Sequence, residues 1–204
     1  MANDELILRN VTLEAYRMHI SGKEAKANTA GKRNFTIIWN LPENEEFINK
    51  LIEDGWPIKV EPRRKESPDD MVARLKVNIN FKHARPPKFQ MIQKYPAFDK
   101  NGNQLTSQDA EGNVVPLFRI KKTMLDEELS KEIDEWDITD VKVAITMGSY
   151  QNPVSGAWGT SVYLREMQFT KIAGAFEFDS DVLDISETHP ELMDDIAECP
   201  FELD

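Results

Sequence analysis

Between positions 81 and 89 the chain reads Phe-Lys-His-Ala-Arg-Pro-Pro-Lys-Phe. Three cations, Lys82, Arg85 and Lys88, and two rings, Phe81 and Phe89, thus fall within nine residues, with no acid among them. Cations at that density can follow the phosphates of a nucleic acid, and flat rings can stack on unpaired bases; a single-strand binder needs both. The combination returns at Lys32-Arg33-Asn34-Phe35, with Trp39 on the strand parity of Phe35, and again at Tyr150, Trp158, Tyr163 and Arg165 around a late hairpin. Lys76 joins the set from the polar face of a strand. Each ring has a competing use, because aromatic side chains also dominate cores. Phe81, on the apolar parity of its strand, is expected to pack inside, and Trp158, in a loop with Pro153 and Gly156, is expected to face water.

Other chemistry finds little support in the residue pattern. Gly31-Lys32 is followed by Arg33 instead of Ser or Thr, and position 26 is Lys where a phosphate-cradling loop needs glycine. The three histidines, His19, His83 and His189, are far apart, and the single cysteine, Cys199, has no partner for a disulfide or a zinc site. No catalytic residues, metal or cofactor are therefore expected. A nuclease assembled from scattered carboxylates would require several of them to converge on a cation.

The elements that must position these residues are mainly β. Leu75, Val77, Ile79 and Phe81 alternate with Lys76, Asn78, Asn80 and Lys82, so one strand face is apolar and the other basic and hydrogen-bonding. Phe35 to Trp39 and Val141 to Tyr150 read as further strands, the latter paired with Thr160 to Lys171 across a loop at Gln151 to Gly159. Pro42, acids at 43, 45 and 46, and Phe47, Ile48, Leu51 and Ile52 before Gly55 predict one helix of about three turns. Asp99-Lys-Asn-Gly102 and Glu111-Gly112 punctuate a long exposed hairpin that ends in a strand from Val114 to Lys122. Strands without βαβ alternation favour an OB-fold-like five-stranded barrel with an inserted helix and hairpin.

Charge divides the chain in two. All 25 basic residues lie at or before Lys171, whereas residues 172–204 hold 11 of the 36 acids and no base, which leaves the preceding body neutral. Residues 1–171 are expected to fold as the binding domain and 172–204 to form an acidic tail too poor in apolar residues to order by itself. The start of the chain has no signal-peptide pattern and no apolar run is long enough for a membrane span, so a cytoplasmic setting is expected.

The late hairpin, Asp140-Val-Lys-Val-Ala-Ile-Thr followed after a Tyr-containing loop by Trp158-Gly-Thr-Ser-Val-Tyr-Leu-Arg-Glu-Met-Gln-Phe, resembles the closing hairpin of bacteriophage and prophage OB-fold single-stranded DNA-binding proteins. The acidic tail after it is similar as well. The resemblance implies a protein that coats single-stranded DNA with little sequence preference during phage-type replication, recombination or repair in a bacterial host. It further implies a tail tip, here Asp194, Asp195, Glu198 and Phe201, that recruits replication or recombination proteins and competes with DNA for the groove. In this chain Glu202-Leu203-Asp204 follow the aromatic residue, where the family pattern ends on it. Self-association into a homodimer is left open. The rival reading is a non-enzymatic interaction protein or DNA mimic, which would carry its acids on a folded face.

Overall fold

The computed structural model describes residues 5–24, 28–64, 67–152 and 155–172. The tail residues Asp194, Asp195, Glu198 and Phe201 lie outside this set. The described fold is mainly β with one α-helix, as the residue pattern predicts. In chain order it runs β1 (Glu5–Leu8), β2 (Thr12–Leu13), β3 (Asn34–Asn40), α1 (Leu41–Glu53), β4 (Lys59–Arg64), β5 (Ser67–Asn78), β6 (Lys88–Pro96), β7 (Thr106–Gln108), β8 (Val114–Pro116), β9 (Phe118–Leu125), β10 (Ile138–Gln151) and β11 (Trp158–Ile172). Short 3-10 helices cover Ala15–Arg17 and Leu129–Glu135.

Nine strands form one sheet, with the path β1-β10-β11-β5-β3-β2, β4 beside β5, and β6 beside both β11 and β9. β5 is its axis. Along one edge it pairs antiparallel with β3, from Asn34 opposite Asn78 to Asn40 opposite Val72. Along the other it pairs with β4 as far as Lys59 opposite Arg74, and then, in parallel, with β11 at Val162 opposite Val77. Leu75 and Lys76 have no strand partner on that second edge among the described residues. The period-two pattern decides what each face does. Phe35, Ile37, Leu75, Val77, Val141, Val143, Ile145, Val162 and Leu164 are buried in one core cluster, while Asn34, Thr36, Arg74, Lys76 and Asn78 have the opposite parity.

Helix α1 begins with Pro42 in its first turn and Glu43 near its positive end, and it stops before Gly55, whose φ of +88° suits glycine. It buries Ile48 and Leu51. Phe47, on the flank, meets Trp39 of β3 edge-on at 6.3 Å between ring centroids.

Two compact units divide the chain. The first comprises residues 1–91 and 123–170 and holds the core just described. The second is built on residues 92–122, where β7 pairs with β8. Its two turns use the same device. Asp99 Oδ1 accepts the backbone N–H groups of Asn101 and Asn103, both at 2.8 Å, while Asp109 Oδ1 accepts those of Glu111 at 3.0 Å and Asn113 at 2.8 Å. Side-chain and backbone hydrogen bonds from Asn103 and Asn113 hold these two carboxyls below the ordinary aspartate value.

Among the described residues, one charged residue of the sheet is buried. Arg74 is 4 % exposed, and its Nε donates to both carboxylate oxygens of Glu14 at 3.0 Å. Its Nη2 donates to Glu14 Oε1 at 2.8 Å and its Nη1 to Glu61 Oε1 at 2.8 Å. Arg17 closes the network, with Nε 3.2 Å from Glu14 Oε2 and Nη1 3.5 Å from Glu61 Oε1. Burial pushes the Glu14 carboxyl up, but hydrogen bonds from Arg74 and Tyr16 and the charges of Arg17 and Arg74 outweigh it and hold the group below its ordinary value of 4.5.

Replacing Glu14 by Ala leaves Arg74 with only the half-exposed Glu61 as counter-charge. The expected loss of unfolding free energy is about 3 kcal/mol, the low end for a broken buried pair, measured by urea denaturation. Because the folded pKa of Glu14 is depressed, its stabilisation is complete at neutral pH and is lost as pH falls below the unfolded value. The stability gap between wild type and Glu14→Gln should therefore narrow between about pH 5 and pH 3. A gap that stays constant over that range refutes the charge-paired role.

Candidate nucleic-acid interface

The vacant stretch on the second edge of β5 opens a groove. A hollow of about 580 Å³ lies over the polar face of the sheet, with Asn34 and Thr36 of β3, Arg74, Lys76 and Asn78 of β5, Lys59 and Glu61 of β4, and Thr160 to Val162 of β11 in its walls. Tyr16, Arg17 and His19 close one side and Tyr150 another. A second hollow, about 440 Å³, is lined by Lys32, Arg33, Asn78, Ile79, Asn80, Tyr150, Ser161 and Tyr163. Asn78, Tyr150 and Ser161 belong to both, so the two hollows adjoin and are taken together as one groove.

The electrostatics of this groove are one-sided. Six of its lining residues, Arg17, Lys32, Arg33, Lys59, Arg74 and Lys76, are cationic, and among the described residues Glu61 is the one carboxylate in the lining. Arg74 and Arg17 are already matched by Glu14 and Glu61. Lys32, Lys59 and Lys76, all exposed, form no ion pair among the described residues and are free to meet phosphates. Among the described residues no three His, Cys, Asp or Glu side chains are grouped to hold a metal ion.

Local structure fixes the basic loop at the second hollow. Asn28 Oδ1 accepts the Lys32 N–H at 3.0 Å, and the Lys32 carbonyl accepts from the side-chain amides of Asn28 at 2.9 Å and Asn34 at 3.1 Å. The Arg33 guanidinium lies 4.7 Å from the centroid of the Phe81 ring, with Nη1 3.6 Å from Glu127 Oε1. A guanidinium resting on an aromatic face is held in orientation by the ring quadrupole.

The sequence-derived contacts divide accordingly. Lys32, Arg33, Lys76, Tyr150 and Tyr163 are brought together in the groove. Arg165 is half-buried on β11, on the parity of Ser161 and Tyr163. Lys82 and Arg85 on the turn after β5, and Lys88 at the start of β6, are exposed but outside the groove lining. Trp158 is 73 % exposed at the start of β11, as its loop context predicts.

Three rings expected to stack on bases are corrected. Phe35 and Phe89 are 0 % exposed, so no base can reach them. Phe35 follows the inward parity of β3, and Phe89 stacks on Phe81 at 5.9 Å between centroids, at the edge of the core. Trp39 shares the parity of Phe35 and packs against the core and Phe47, on the face away from the groove.

Sequence reasoning missed Tyr16, Arg17, His19, Lys59, Arg74 and Asn78. Arg74 and Asn78 were within reach, since the alternation that assigns Lys76 to the polar face assigns both of its neighbours at two residues' distance to that face too. Tyr16, Arg17 and Lys59 arrive through long-range pairing that no local pattern announces.

Known proteins share features with this chain. A family model described as "Putative phage ssDNA-binding domain" matches residues 2–199. The crystal structure of gp2.5, a single-stranded DNA binding protein encoded by bacteriophage T7, aligns over 92% of this chain and 95% of its own, at 12% identity and a TM-score of 0.34, a likeness too loose to place any residue. No curated protein matches the chain.

The contrast between exposed and buried rings is directly measurable. Trp158→Ala is expected to weaken binding to an unstructured oligonucleotide by about 1 to 3 kcal/mol with little change in melting temperature. Phe89→Ala is expected to cost about 3 to 5 kcal/mol of stability through the cavity it leaves. Paired titrations and thermal melts check both; a Trp158→Ala protein that melts early but binds normally reverses the assignment.

Proposed function

Since this chain belongs to the phage single-stranded DNA-binding domain family, it binds single-stranded DNA, and we propose that the strand lies in the groove over the polar face of β3, β5 and β11. The observation that carries this reading is the coincidence, in one hollow, of unpaired lysines and an exposed aromatic ring. Lys32, Lys59 and Lys76 neutralise phosphates, and Arg33 adds a fork-shaped donor set oriented by Phe81. Tyr150, Tyr163 and Trp158 offer faces to bases, which stack on any ring whatever their identity, so sequence preference is weak. Lys82, Arg85, Lys88 and Arg165 extend the positive surface beyond the groove and guide the strand as it leaves. Catalysis is not part of the role. Coating of single strands in phage-type replication, recombination or repair, within the cytoplasm of a bacterial host, is the function this supports. No helix among the described residues is long and apolar enough to cross a membrane.

The acidic segment after Lys171 has a second role in this proposal. Its 11 acids match the charge of a nucleic acid, and its attachment to the domain gives it a high local concentration at the groove. It competes weakly with DNA, and through Asp194, Asp195, Glu198 and Phe201 it engages replication or recombination proteins when DNA displaces it.

Two measurements test the reading. Affinity for single strands should exceed that for duplex and fall by two to three orders of magnitude for a tenfold rise in salt, given roughly 0.7 per phosphate and about three to five contacts. Lys59→Ala and Lys76→Ala should each flatten the logarithmic slope by about 0.7. Equal affinity for duplex, or slopes untouched by either substitution, removes the groove from consideration. Truncation after Lys171 should strengthen binding most at low salt, with the gain shrinking as salt rises. A folded, monodisperse truncation with unchanged low-salt affinity speaks against competition.

A further inference from the structure

We infer that Gly159, and to a smaller degree Gly148, are positioning residues that let the groove tyrosines lie down on the sheet. This inference rests on the groove being the DNA site. A Cβ at Gly159 would stand 2.8 Å from Tyr150 Cε1, 2.8 Å from Cζ and 2.9 Å from the hydroxyl oxygen. Near-equal distances to two ring carbons and the hydroxyl oxygen put that Cβ out of the ring plane, against the Cε1–Cζ rim at the phenol end. The phenol end of Tyr150 therefore lies across the Gly159 backbone, too close for any side chain beneath it. The residue is 45 % exposed and lines both hollows.

Backbone conformation does not call for glycine here. Neither Gly148 nor Gly159 has a positive φ, and a glycine inside a strand weakens it. What position 159 requires is space. At Gly148 the requirement is milder, since a Cβ would meet only Tyr163 Cε2 at 3.1 Å and Cδ2 at 3.4 Å, an edge contact. Each glycine lies on the hairpin strand opposite its tyrosine, so β10 and β11 each carry one ring and one vacant seat. A ring held flat on a rigid sheet keeps its stacking face available without ordering on each binding event, which lowers the entropic cost of association.

The substitution Gly159→Ala separates positioning from stability. The obstructing atoms are the far end of a flexible side chain, so Tyr150 can swing aside and the fold should survive, with a melting temperature close to wild type. Affinity for a thymidine oligonucleotide should fall roughly ten-fold, the scale of one lost stacking contact. Tyr150→Ala should cause a similar loss, and the double variant should bind no more weakly than Tyr150→Ala alone, because the glycine acts only through the ring. Photocrosslinking to bromodeoxyuridine should mark Tyr150 in wild type and fade in Gly159→Ala. If Gly159→Ala fails to fold, the same cycle runs with Gly148→Ala and Tyr163→Ala, where a smaller loss is expected. Wild-type affinity in Gly159→Ala beside a weakened Tyr150→Ala overturns the positioning role and leaves the groove standing, as does a double variant whose losses multiply. Wild-type affinity in Tyr150→Ala overturns both.

Discussion

The buried guanidinium of Arg74 is the constraint around which the binding face is organised. A charge in the middle of a sheet is tolerated only where its donors are met, and meeting them takes carboxylates from two distant segments: Glu14, which leads into the first 3-10 helix, and Glu61 on β4. Two further donations, to the carbonyls of Pro62 at 3.3 Å and Arg63 at 3.3 Å, tie the same side chain to the β4 backbone. One residue of β5 thereby fixes the floor of the groove and both of its near walls. The carboxylates also neutralise Arg74, so the positive potential of the groove comes from residues other than the one that builds it.

That division separates structural from functional charge. Arg74 and Arg17 spend their hydrogen bonds inside the protein, while Lys32, Lys59 and Lys76 form no ion pair among the described residues and, in the proposed complex, exchange water for phosphate. Lysine suits the second purpose because its ammonium is a compact charge on a flexible stem and can follow phosphates whose spacing varies along an unpaired strand. Arg33 stands between the two groups: its side chain, 13 % exposed, rests on the Phe81 ring close to Glu127 and lines the second hollow. The net charge of -11 hides all of this, because the acids of residues 172–204 offset a body that is neutral overall but not locally.

How much of this was legible in the sequence depended on whether the signal was periodic or merely local. Strand alternation predicted the core and polar faces of β5, and the acids, proline and apolar spacing predicted α1, because each pattern follows from the geometry of one element. Composition within a short segment was less informative. Phe89 stands beside Lys88 in the sequence, but parity sends the ring inward while Lys88 stays exposed, and Phe35, close to Lys32 and Arg33 in the chain, is buried on the inward parity of β3, so adjacency along the chain does not carry over to the surface. β4 escaped notice for the converse reason: Lys-Val-Glu-Pro-Arg-Arg has little apolar content, and it is a strand because β5 offers it an edge to pair with. The groove depends on the change of partner along that edge, a long-range property that no window of sequence contains.

The same logic bears on the three rings that the β10–β11 hairpin carries, Tyr150, Trp158 and Tyr163. A ring that stacks on bases must be accessible, yet a loose ring loses rotamer freedom each time it binds. A two-stranded hairpin with one open face resolves the conflict if the surface beneath the ring is flat, and only glycine leaves a strand surface flat. Tyr150 lies across such a seat at Gly159, and Tyr163 leans against another at Gly148. Trp158, at 73 % exposure, is placed differently, at the rim where β11 leaves the loop. The groove thus combines rings held on a rigid sheet with lysines free to move. In the proposed complex, stacking sets the depth at which bases sit, and the cations accommodate whatever path the backbone takes between them.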